Sequence, residues 1–148
     1  MIPGFFFHET MRGSYHMLDA PTVERAIEFT VKVSASDVRR FVKDKTWTIR
    51  GDVEVEGLAA RRPVEGTIGF RLLDERRMPY RLAFTADDGK RYELRGQKEW
   101  TALAPVESMT VLPASLYDEA GREIGRATLR FDARNELGKF LKSFRLAF

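Results

Sequence analysis

The chain has 148 residues, 43% of them hydrophobic and 32% charged, which supports one globular domain, 1–148, around a single core. It has no cysteine, so disulfides, thiolate metal sites and a cysteine nucleophile are excluded. The net charge of +3 gathers at the end: residues 1–121 carry 18 basic and 19 acidic side chains, residues 122–148 carry 7 and 3. Most arginines alternate with apolar residues, as on a solvated sheet face, and do not cluster as a nucleic-acid patch does. The start "MIPGFFFHET" lacks the basic region of a signal peptide and no long apolar run follows, so the expected location is the cytoplasm, with no membrane span.

The first element, "FFFHETMRGSYH" (5–16), reads as a strand. Phe5, Phe7, Met11 and Tyr15 fall on one parity, and His8, Thr10, Arg12, Ser14 and His16 on the other. From about residue 26 the two-residue period becomes strict. "AIEFTVKVS" places Ile27, Phe29, Val31 and Val33 on one face, and "WTIRGDVEVEG" places Trp47, Ile49, Val53 and Val55 there. "PVEGTIGFRLLD" continues with Val64, Ile68, Phe70 and Leu72, and "MPYRLAFTA" with Met78, Tyr80, Leu82 and Phe84. "ADDGK" (86–90) is a tight turn into "RYELRGQKEW", because Asp and Gly tolerate positive φ. "SMTVLPASLYD" and "REIGRATLRF" flank a second turn, "DEAG".

Two segments break the period. Ser36 is placed to cap a short helix near 36–44 with Val38, Phe41 and Val42 on one face. A C-terminal helix near 133–143 carries the stripe Leu137, Phe140, Leu141 and Phe144. About eight antiparallel strands joined by hairpins predict an up-and-down β-barrel, calycin- or lipocalin-like, that closes to hide its edges. The alternative is a curved antiparallel sheet gripping the C-terminal helix.

Two positions interrupt the apolar parity with charge. Glu9 lies among Phe5, Phe7 and Met11, and Lys98 shares parity with Tyr92, Leu94, Gly96 and Trp100. A lone buried charge costs several kcal/mol, so the two are expected to pair in the interior, directly or through a ligand. His8 and His16 are eight residues apart, about 26 Å along a strand, and share a metal only if the chain reverses near Gly13. The serines lack a nucleophile elbow, the acidic pairs Asp74-Glu75 and Asp118-Glu119 sit at turns, and the glycines form no phosphate-cradling loop. No catalytic residue, metal or cofactor is assigned.

The order Phe7-x-Glu9-x-Met11-x-Gly13, "DVRRFV", Gly51-x-Val53, Pro63-Val64, "RMPYRLAF", Gly89 and Leu94-x-Gly96-x-Lys98 resembles an accessory β-domain. That domain accompanies cholesterol-oxidase-like glucose-methanol-choline oxidoreductases of bacteria, and the resemblance runs from about Phe7 to Phe144. "PVESMT" and His8 depart from its pattern, and the flavin-binding fingerprint of that group is not present. The resemblance implies a stand-alone copy that handles lipid- or sterol-like molecules or docks to a flavoprotein oxidoreductase.

The leading expectation is therefore non-catalytic binding of a hydrophobic small molecule. Its interior would be lined by Phe29, Trp47, Phe70, Tyr80, Phe84, Tyr92 and Trp100, with Glu9 and Lys98 as the polar pair. The alternative is an interaction module that docks to an oxidoreductase partner or forms a homodimer, and interior volume separates the two: an open pocket favours ligand, a filled core favours docking. A small enzyme using Glu9 as base is the third reading.

Overall fold

A computed structural model describes residues 4–35, 46–69, 71, 75–104, 108, 110–131 and 145–147. Its strands are β1 (Gly4–Met17), β2 (Arg25–Ala35), β3 (Thr46–Val55), β4 (Ala59–Gly69), β5 (Arg77–Thr85), β6 (Arg91–Glu99), β7 (Val111–Tyr117), β8 (Glu123–Arg130) and β9 (Arg145–Ala147). Each of β1 to β7 pairs antiparallel with the next, and β1 also pairs with β8, so the eight close into an up-and-down barrel. The three residues of β9 were not foreseen. They extend the wall by pairing with Gly4–Phe6, while β8 pairs with β1 only from Arg12 onward.

The stagger of the barrel can be counted along its pairs. Phe7 faces Val33, then Ile49, Gly66, Leu82, Leu94, Leu116 and Gly125 follow, and the circuit returns to β1 at Met17, ten residues beyond its start. Eight strands with that stagger tilt by about 40° and enclose an interior that side chains or one small ligand can fill. Such curvature brings backbones unusually close, and glycine permits it. A Cβ at Gly13 would lie 1.7 Å from the Thr128 carbonyl oxygen, and one at Gly66 would lie 1.8 Å from that of Arg81.

The alternation read from the sequence points its apolar parity inward. Met11, Val33, Ile49, Ile68, Leu112 and Leu129 have no exposed surface, so no water-sized void adjoins them. The outer face carries the charges, paired across strands as in Arg12–Glu28 and Arg81–Glu93. The two ends of the barrel differ. At one end the connections 56–58, 86–90 and 118–122 are tight turns and only 18–24 is longer; in the foreseen 86–90 turn Gly89 has φ 80° and Ala86 N–H donates to the Lys90 carbonyl at 2.9 Å. The other end, where β1 begins and β6 stops, carries the longer connections 36–45, 70–76 and 100–110.

Both foreseen helices, 36–44 and 133–143, lie outside the described residues. Ser108 and Thr110 do not extend β7 as expected: both are helical, and Ser108 N–H donates to the Ala104 carbonyl at 2.9 Å. The Ser108 hydroxyl accepts from Thr101 N–H at 3.2 Å, a local side-chain bond that competes with the ladder. Among the described residues no helix is long and apolar enough to cross a membrane.

Candidate functional site: a polar bar across the barrel

Three inward side chains from opposite walls meet inside the barrel. Glu9 is on β1, Tyr80 on β5, four strands away and diametrically opposite, and Lys98 is on β6 beside it. Lys98 Nζ donates to Glu9 Oε1 at 3.0 Å, and the Tyr80 hydroxyl donates to Glu9 Oε1 at 3.1 Å and Oε2 at 3.3 Å. Glu9 and Lys98 are the buried charged residues among the described ones. Lys98 Nζ also stands 5.0 Å from the centre of the Tyr80 ring, within cation–π range. Together the three form a polar bar spanning the interior.

Strand parity explains each placement. Glu9 follows Phe7 and precedes Met11 on the inward face, and Lys98 follows Leu94 and Gly96 on β6. Met78 lies opposite Lys98 and Tyr80 opposite Gly96, and a Cβ at Gly96 would lie 2.3 Å from the Pro113 carbonyl oxygen, so glycine lets β7 approach closely there. Burial, then the Glu9 charge, then the hydrogen bond to Glu9 hold the Tyr80 hydroxyl well above the usual phenol range, so it stays protonated and donates. Glu9 thus accepts every bond in the bar.

Between the bar and the end with long connections lie Phe7, Trp47 and Met78. The Phe7 and Trp47 rings pack edge to face with centroids 5.3 Å apart, and Trp47 is only half-buried. Of the foreseen lining residues, Phe29, Tyr80, Phe84 and Tyr92 are buried in the core. They do not form one site. Phe84 and Tyr92 stack at 6.0 Å near the tight-turn end, where the Tyr92 hydroxyl donates to Asp88 at 2.9 Å. Burial first and that bond second push the Tyr92 phenol up to about 12.

Trp100 is a correction. It was expected to face the interior, but it is 38% exposed, with the Arg76 guanidinium 5.9 Å from its ring centre. β6 ends at Glu99, and past the last ladder residue strand parity no longer directs a side chain. Phe70 lies outside the described residues. The part the sequence reading missed is Tyr80 as third member of the bar. Its signal was available, since an inward tyrosine needs a partner for its hydroxyl.

β1 runs unbroken through Gly13, so the chain does not reverse there, and His8 and His16 stay far apart on the outer parity. Among the described residues no group of three or more His, Asp or Glu is arranged to hold a metal. Three clefts of about 350, 440 and 600 Å³ open on the outer wall, lined by residues such as Arg50, Glu65, Arg81 and Arg91 or Arg95 and Arg126. None includes Glu9, Tyr80 or Lys98.

The fold and site define a closed eight-stranded antiparallel barrel crossed by a buried carboxylate–ammonium–phenol bar. No family model matches the chain, and no curated protein matches it. Among solved structures it is similar to a redesigned β-barrel, mFAP1, bound to DFHBI. The similarity is at TM-score 0.49 and 11% identity, over 82% of this chain and 92% of that one.

Proposed function

We propose that the barrel binds a hydrophobic small molecule, lipid- or sterol-like, without transforming it. The ligand's apolar body would lie at the end with long connections, against Phe7, Trp47 and Met78, and its polar group would reach Glu9 and Lys98. The bar itself carries this reading. A buried ion pair contributes little net stability, and well-packed apolar residues would fill the same volume at equal or lower free energy. A bar placed inside a barrel, below the half-buried Trp47, therefore has more to do with recognition than with stability. Native mass spectrometry of the purified protein, followed by solvent extraction, tests the proposal. A bound lipid or sterol is expected, and a ligand-free mass that persists after incubation with a lipid extract would sink it.

A second reading has its own observation. The deep interior is filled, with Met11, Ile49, Ile68 and Leu129 wholly buried. A filled core suits an interaction module that docks to an oxidoreductase partner or to a second copy, in line with the sequence resemblance. A dimer peak in the same mass spectra, with nothing extracted, would transfer the weight to this reading.

A further inference from the structure

We propose that the bar selects a ligand whose head group is an uncharged hydroxyl, an inference that rests on the binding reading above. The reasoning is a count of donors and acceptors. An ammonium has three N–H donors and no acceptor, and the contact with Glu9 Oε1 uses one of them. A carboxylate accepts at about four lone-pair positions, and Lys98 and Tyr80 together make three contacts, two of them at Oε1. What the bar offers a newcomer is a donor at Lys98 Nζ beside an acceptor at Glu9 Oε2. A hydroxyl satisfies both at once, accepting from Nζ and donating to Oε2.

Charged heads fare worse in this setting. The two charges of the bar cancel, so neither sign of ligand gains a net attraction, and either must be desolvated on entry. A fatty carboxylate would meet Glu9, and a fatty ammonium would meet Lys98, at close range in a medium of low dielectric. An alkane brings no charge and also leaves the spare donor and acceptor unused. Of each of the Glu9 and Lys98 side chains, 7% remains accessible to a molecule the size of water.

Isothermal titration calorimetry of the full chain at pH 7 with dodecan-1-ol, dodecanoate and dodecylammonium tests the inference. Dodecanol is expected to bind at least about tenfold tighter than either charged analogue. Dodecanoate or dodecylammonium binding as tightly as the alcohol overturns the head-group selectivity and leaves the binding reading standing. If none of the three binds, both fall. Glu9→Gln is expected to move the ratio toward dodecanoate by about tenfold, because Lys98 then faces the ligand uncompensated. Should that variant not fold, the double variant Glu9→Gln/Lys98→Met removes both charges together. Its discrimination between charged and uncharged heads is expected to fall below about threefold with alkyl binding retained, and an unchanged tenfold ratio overturns the assignment.

Discussion

The same chemistry occurs on both sides of the barrel wall. Outside, Arg12 and Glu28 meet at 2.9 Å with 55% and 37% of their side chains exposed. Inside, Lys98 and Glu9 meet at 3.0 Å with 7% of each exposed. The distances are alike and only the surroundings differ. Outside, water screens the attraction and accepts either partner if the other is removed. Inside, both charges have left water, and removing one strands the other. Separation therefore says little about what an ion pair contributes, and burial says most of it.

The largest effect that tests this contrast is expected for Lys98→Met. It leaves Glu9 buried without its ammonium and should cost about 3–5 kcal/mol in urea denaturation. Adding Glu9→Gln should recover part of that loss, because no stranded charge remains. A single variant within about 1 kcal/mol of the parent would mean that Glu9 finds water, and the inside–outside contrast would collapse.

Alkaline pH comes next, because three phenols act together. Tyr15, Tyr80 and Tyr92 are all raised above the ordinary value of 10.0, each with burial as the first cause, and Tyr92 reaches about 12. A raised phenol pKa means that the fold favours the neutral form. Its contribution is fully present below pH 10 and is lost as the pH rises through the folded value, about 12 for Tyr92. Absorbance at 295 nm should show these three ionising above pH 10, together with loss of the circular dichroism signal. Phenolate formation complete by pH 10, with the dichroism intact, would contradict the assigned burial.

Tyr80→Phe should be smaller. It removes one buried donor while Lys98 still serves Glu9, so about 1–2 kcal/mol is expected in the same denaturation assay. A loss as large as that of Lys98→Met would mean that the phenol, and not the ammonium, is the main partner of the carboxylate.

The inside of this barrel was legible because a strand's side chains alternate without ambiguity. Glu9 and Lys98 announced themselves as charges on an apolar parity, and no other pairing rule was needed to bring them together. Phe29, Tyr80 and Phe84 followed from the same period. Closure too was foreseen, from the number of hairpin-joined strands and the need to hide their edges, but its geometry was not: the ten-residue stagger and backbone approaches such as Gly13 to Thr128 are encoded by no local pattern. Trp100 went astray for the complementary reason: it lies one residue beyond the ladder. The division of the aromatic residues between the two ends was also hidden, since parity gives the face and not the height along the barrel. Phe84 and Tyr92 share the inward face with Tyr80 but sit toward the tight turns.

The smallest effect is the outer half of the comparison, and it is the sharper control. Arg12→Ala removes the partner of Glu28 at nearly the same distance as the inner pair, so a contact-based view expects a comparable loss. The solvent argument expects less than about 1 kcal/mol, because Glu28 keeps its hydration and the arginine no longer loses side-chain freedom to the pair. Raising the salt from low ionic strength to about 0.5 M should shrink even that difference, since the screening length falls to a few ångströms. The Lys98→Met loss should barely respond to the same change, because ions do not enter the interior. Parallel urea titrations of the two variants at both salt concentrations measure this, and equal salt sensitivity would place Glu9 and Lys98 in contact with bulk water.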